Sequence, residues 1–286
     1  MITLTTDFGL RDPFVGVMKG VILGINPEAT IVDVTHEIPP QDIAGAAYHL
    51  ANAWHHFPGG TVHLVVVDPG VGSKRRAIAV SAEGHYFVAP DNGLLTRVLH
   101  EAGAWRACAI TESHYMAPQP SRTFHGRDLF APAAAHLSRG IALENFGPEV
   151  MDPVLAPEEL PRIEGRAIRA RIIHVDRFGN LVLNVDGRIL TDAAAAAGAL
   201  PDAAAQGSAG APEAAPGPDS LAGLRIVTEA GGRHIDRFVT HYAEAEGAPC
   251  FLLDSNGHLE IAIPGRSASA HLGLARGSEV LLQIAP

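Results

Sequence analysis

TVHLVVVDPGVGSKRR, residues 61–76, decides how the first half of the chain folds. Thr61–Val67 is a mostly apolar strand, interrupted only by His63. Pro69-Gly70 turns the chain away at once, which leaves the Asp68 carboxylate projecting at a sheet edge. The Gly-rich loop then runs into Lys74-Arg75-Arg76. It is not a Walker loop, because the Gly-Lys-Ser/Thr ending and its spacing are missing. Two readings of the loop stand on sequence alone: a turn Asp followed by a solvated basic triplet, or a functional carboxylate.

Working outward, strand-like and helix-like segments alternate on both sides. Ile2–Thr6 is short, β-branched and ends in Asp-Phe-Gly. Phe14–Leu23 carries apolar residues at helical spacing and stops at Gly24 and Pro27. Thr30–Val34 is a strand, followed by the Pro39-Pro40 turn. Asp42 is placed to N-cap an Ala-rich helix over Ile43–Trp54. Ala77–Ser81 and Tyr86–Ala89 read as a strand pair across Glu83-Gly84, and Asp128–Leu137 as a helix after a Gly126 turn. This alternation predicts an N-terminal α/β domain, residues 1–165, with a largely parallel sheet. Beyond the acidic, proline-bearing stretch 148–164 the character changes. Ala167–Val175, Leu181–Val185, Leu224–Val227, His234–Val239, Cys250–Leu253, Leu259–Ile263 and Val280–Ile284 are short strands between Gly, Asn and Asp turns. They predict a smaller C-terminal all-β barrel domain, residues 166–286. Inside it, residues 193–218 hold 13 Ala, four Gly and four Pro. Such a segment buries little against its ordering entropy, so it reads as a flexible surface insertion, with a short Ala helix at 192–200 as the alternative.

Composition excludes more than it assigns. The 286 residues carry a net charge of −10, against a phosphate-backbone binder or an anionic-membrane partner. Cys108 and Cys250 form no disulfide framework and lack metal-ligand spacing. The start, MITLTTDFGL, has no basic region, and no run nears the about 18 apolar residues of a membrane span. A cytoplasmic protein is expected.

Polar residues gather at the predicted strand ends, where open α/β sheets place ligands. The first domain has four such places: Thr5–Gly9, Asp33 with His36, Asp68–Gly72, and Phe124–Asp128. A di-metal site from Asp7, Asp33, His36 and Asp68 is one reading, although HExxH and Cys/His clusters are missing. His125 is one of 15 histidines, distinguished by its setting just ahead of a helix start. Asp176–Asn180 and Asp254–Gly257 both look like hairpin turns.

The ordered set TTDFG (5–9), IVDVTHEIPPQDI (31–43), VVVDPGVGSKRR (65–76), APDNGLL (89–95), TFHGRDLFAP (123–132), DRFGN (176–180) and DSNGHLEIA (254–262) resembles the S-adenosylmethionine hydrolase, or SAM hydroxide adenosyltransferase, family. That family is related to the SAM-dependent fluorinase and chlorinase. The resemblance implies hydrolysis of S-adenosylmethionine to adenosine and methionine, by attack of water or hydroxide on the ribose 5′ carbon. It implies a homotrimer with each active site shared between subunits, and no metal or redox cofactor. Asp68, Arg75 and His125 match the family's catalytic set. The halogenating relatives carry a tyrosine where Asp68 stands. By motif, Asp7 is expected at the ribose hydroxyls with support from Asp12, and Phe124 beside the ribose. Asp176 is expected at the methionine ammonium and Ser255 at its carboxylate, with Asn256 where halogenating relatives have arginine. Asn180 is expected at the adenine edge, with Phe178 and Tyr242 against the ring. The alternatives are halogenation to a 5′-halo-adenosine, and a SAM or adenosine sensor without turnover.

Overall fold

The computed structural model describes residues 1–199, 221 and 224–285. They form two compact units, Met1–Pro157 and Glu158–Pro286.

The first unit is built on β1 (Ile2–Thr6), β2 (Ile31–Thr35), β3 (Val62–Val66), β4 (Ala77–Ala82), β5 (His85–Pro90) and β6 (Trp105–Ala109), ordered β2-β1-β3-β5-β4-β6. Neighbours are parallel from β2 across to β5, and only β4 runs against the rest. The sheet is therefore mixed, largely parallel with one reversed strand. Its strand alternation divides two apolar layers. Ile2, Leu4, Val62, Leu64 and Val66 pack under α1 (Phe14–Ile25) and α4 (Ala131–Ser138). Val65, Val67, Val80 and Phe87 pack on the other face, under α2 (Ile43–Ala53) and α3 (Thr96–Glu101). Covering both faces forces every loop that carries polar chemistry to the strand ends. Asp42 caps α2, accepting from the Gly45 N–H at 2.9 Å, a bond of about 1 kcal/mol. The expected helix at 128–137 begins differently. A single π-helical turn, Gly126–Phe130, precedes α4 and displaces its start to Ala131. Such turns often accompany functional positions. Neither α3 nor β6 is evident from sequence pattern.

In the second unit β7 (Arg162–Glu164), β8 (Ala167–Val175), β9 (Leu181–Asp186), β10 (Ile226–Ala230), β11 (Arg233–Ile235), β12 (Cys250–Leu253), β13 (His258–Ala262) and β14 (Glu279–Ile284) pair antiparallel throughout. The path β11-β10-β14-β8-β9-β13-β12 is a nearly closed, barrel-like sheet. β8 turns the corner. Its first half pairs with β14 and its second with β9, and the register slips between Ile172 and His174. The alanine-rich stretch does not begin as a loose insertion. Residues 193–196 close α5 (Gly187–Ala196), where Asp186 accepts the Ile189 N–H at 2.8 Å and Ala193 and Ala194 lie in the core. Residues 200–218 of the expected insertion lie outside the described residues.

Candidate active site

β3 delivers Asp68 to the strand ends, and the loop brings Arg75 back onto it. The Arg75 Nε donates to both carboxylate oxygens, at 2.9 and 3.1 Å, and Nη2 donates to Oδ2. Both side chains are nearly buried, at 5% and 10% exposure for Asp68 and Arg75. A buried charge pair persists only when its partners and geometry are fixed, and here the contact is bidentate. Arg75 also lies 5.1 Å over the Phe130 ring. Its Nη2 reaches His125 Nδ1 at 2.7 Å. A guanidinium only donates, so Nδ1 accepts and a neutral ring carries its proton on Nε2. The electrostatics agree. Burial first, then the Arg75 charge, pushes the imidazole below its ordinary value, against the opposing pull of Asp68.

Asp128 is buried; Arg127 bonds it at 2.6 and 2.9 Å, and the Ser121 N–H at 2.8 Å. Burial alone raises its carboxyl, but these bonds outweigh burial and keep it ionised. The Asp68 loop lies close against this segment. Gly72 has φ +78°, and a β-carbon there would meet the Arg122 carbonyl at 2.4 Å.

Asp68, His125, Phe124 and Asp7 line one cleft of about 370 Å³. Asp7 Oδ2 accepts the Gln41 N–H at 2.8 Å, and Gln41 itself has φ +68°. Phe8, Phe14 and Phe124 form the apolar wall, with ring centroids 5.2–5.9 Å apart. Sequence reasoning singled out Phe124 and passed over Phe8 and Phe14. Phe8 stands inside the TTDFG motif, and Phe14 opens α1 after the short turn that follows it. Asp12 is exposed in that turn and does not line the cleft. Asp33 and His36 are committed elsewhere. Lys19 bonds Asp33 Oδ2 at 2.6 Å, Asp33 Oδ1 lies 3.1 Å from His36 Nε2, and His36 Nδ1 meets Thr6 Oγ1 at 2.9 Å. Among the described residues no three His, Cys, Asp or Glu side chains converge to hold a metal ion. No described helix is long and apolar enough to cross a membrane.

In the second unit the Asp176–Asn180 turn is satisfied from within. Asp176 Oδ1 accepts the Phe178 and Asn180 N–H groups at 2.8 Å, and Oδ2 accepts the Asn180 side-chain amide at 2.9 Å. Gly179, at φ +86°, passes so close to Ser267 that a β-carbon would lie 2.1 Å from its hydroxyl. Phe178 is 79% exposed at the tip. Asp254 closes the other turn, accepting from the Asn256 and His258 N–H groups, with Ser255 exposed. Between the turns sits a group that sequence reasoning missed. Glu260 is buried and accepts from the Tyr242 hydroxyl at 2.9 Å. Burial, with the Asp176 and Asp254 charges adding to it, raises its carboxyl to about 7. Burial and Glu260 in turn raise the Tyr242 phenol. Only the lone Glu in the apolar run 259–263 hints at this.

The combination defines a class: an α/β unit with a strand-end Asp–Arg–His cleft, joined to an antiparallel barrel-like unit. Models of the SAM hydroxide adenosyltransferase N-terminal and C-terminal domains match residues 2–147 and 216–281. The chain belongs to the SAM hydroxide adenosyltransferase family. The (R)-S-adenosyl-L-methionine hydrolase of Thermus thermophilus is 37% identical over 97% of both chains. That of Salinispora tropica is 43% identical, over 66% of this chain and 73% of its own. A solved structure of an uncharacterised conserved protein from Thermotoga maritima superposes with a TM-score of 0.84 at 33% identity, covering 99% of this chain and all of that one.

Proposed function

We propose that this protein hydrolyses S-adenosyl-L-methionine to adenosine and L-methionine. The observation that carries the reading is the Asp68 carboxylate clasped by Arg75, with a neutral His125 on the same guanidinium. Water adds to the ribose 5′ carbon, the bond from that carbon to sulfur breaks, and the electron pair stays on sulfur. The leaving group is a neutral thioether and needs no acid. The barrier lies in aligning and deprotonating the water. Asp68 orients it and takes its proton. Arg75 fixes the carboxylate in one rotamer and, through Nη2, holds His125 beside it. Asp7 engages the ribose hydroxyls through the oxygen that Gln41 does not occupy, and the Phe8–Phe14–Phe124 wall excludes solvent beside the sugar. In the second unit Asp176 takes the ammonium, Ser255 the carboxylate, and Asn180, Phe178 and Tyr242 the adenine.

The acidic chain suits a substrate with a sulfonium and an ammonium. The same reading includes a cytoplasmic homotrimer in which one subunit's second unit completes its neighbour's site. Mixing Asp68→Ala and Asp176→Ala subunits, each inactive alone, then restores turnover, and light scattering gives three times the chain mass. Incubation with S-adenosylmethionine in oxygen-18 water is the direct test. It yields adenosine labelled at the 5′ oxygen. Unlabelled adenosine, or 5′-halo-adenosine in halide buffer, overturns the assignment.

A further inference from the structure

The motif APDNGLL holds two residues that touch nothing in the cleft yet grip both ends of the loop that carries Asp68 and Arg75. The sheet order explains how. β3 and β4 are consecutive in sequence, but β5 lies between them. The chain leaving β5 at Asp91-Asn92 therefore emerges between the end of β3 and the start of β4, the two stems of the loop 68–76.

Each stem is tied. The Asn92 side-chain amide donates to the Val67 carbonyl at 3.0 Å, one residue before Asp68. The Asp91 N–H donates to the Arg76 carbonyl at 2.9 Å, one residue after Arg75. Asp91 Oδ2 accepts from Arg76 Nε at 2.7 Å. The two residues are themselves fixed, for Asp91 Oδ1 accepts the Val154 N–H at 2.7 Å and Asn92 Oδ1 the Leu94 N–H at 3.2 Å. Asp91 is 5% exposed, so losing its partner would strand a buried carboxylate.

We infer that Asp91 and Asn92 are positioning residues, which set the distance between the loop stems and so hold Asp68 and Arg75 in bidentate register. The inference rests on the proposed roles of Asp68 and Arg75. A water aligned behind a carbon tolerates little displacement of its base, and shifts near 1 Å cost about a hundredfold in rate.

Asn92→Asp is nearly isosteric but presents an acceptor to the Val67 carbonyl. With purified full-length protein, kcat falls about tenfold to a hundredfold. KM stays within about threefold, because no substrate contact is removed. The Arg75 Nε–H resonance, sharp in wild type because Asp68 holds it, broadens or shifts. Asp91→Asn keeps the backbone bond but leaves one oxygen for two donors, Arg76 Nε and the Val154 N–H, so the same changes appear; it carries the test if Asn92→Asp does not fold. A folded variant with wild-type kcat and an unmoved Arg75 resonance overturns the inference. So does a fall in kcat without any change at Arg75. If wild type itself forms no adenosine, the functional reading fails instead, and the Arg75 resonance alone decides whether the clamp exists.

Discussion

Asp68 in the first unit and the two turn carboxylates of the second are held in opposite ways. In the first, Asp68 depends on groups far along the chain: Arg75 across a loop, and His125 fifty residues beyond that through the same guanidinium. In the second, Asp176 and Asp254 are satisfied by N–H groups two and four residues ahead, inside their own turns. A carboxylate held by its own turn shapes that turn, whereas one held by distant side chains is positioned by the fold as a whole. On the proposed function, the first arrangement serves the chemistry and the second the recognition.

The contrast is broken most directly at Asp68. Asp68→Ala lowers kcat by about 10²- to 10⁴-fold, the usual worth of a positioned base, while S-adenosylmethionine binding by calorimetry changes only a few-fold. A loss below tenfold would mean that the first unit also merely binds. Next in size is the pH profile. Protonated His125 sets a second cation beside Arg75, so kcat/KM falls as pH drops through a value below the ordinary imidazole 6.5. His125→Gln flattens that acid limb, and an unchanged limb assigns the titration elsewhere.

Stability separates the units by sign. His63 is buried, bonds Thr3 Oγ1 at 2.8 Å and lies 3.2 Å from His85 Nδ1. Burial, then the His85 charge, takes its imidazole down from 6.5 to about 3. Below 6.5 the unfolded chain binds a proton that the folded one does not, so the first unit weakens as pH falls from 6.5 toward 3. The cost reaches a few kcal/mol. Glu260 runs the other way. Its folded value of about 7 exceeds the ordinary 4.5, so the folded state holds the extra proton. That stabilisation is full below 4.5 and lost as pH rises through 7, by about 3 kcal/mol at most. Amide exchange at pH 7.5 and pH 5.5 therefore shows the first unit losing protection and the second gaining it. His63→Gln and Glu260→Gln each abolish one of the trends, and parallel trends in both units would contradict the assignment. The smallest effect is at Phe178. Being 79% exposed, Phe178→Ala moves the thermal midpoint by no more than about 0.5 kcal/mol of stability. It still raises KM if the ring packs on adenine.

Much of the first unit was legible because strand ends announce themselves. An apolar run halted by Asp-Pro-Gly has one plausible geometry, and β1, β3 and the Asp42 cap stand close to where the pattern sets them. α3 and β6 escaped because Thr96–Ala109 lacks strong punctuation and its alternation is blurred by Ala and Arg. Glu260 escaped for a different reason. A charged residue is expected outside, and it is burial in the folded unit first, then the Asp176 and Asp254 charges, that raises its carboxyl. Alanines 193 and 194 follow the helical alternative for the start of the tract, which composition cannot choose over a loose one.

By itself, then, the sequence determined where strands end, which carboxylates stand there, and that an α/β unit precedes an all-β one. These follow from local periodicity and turn chemistry, which act over a few residues. Tertiary structure alone decided that Arg75 clasps Asp68 and lends Nη2 to His125, and that Asp91 and Asn92 grip both stems of their loop. The grip of Asp91 and Asn92 exists because β5 inserts between β3 and β4, and strand order is set by packing across the whole sheet rather than by any one segment.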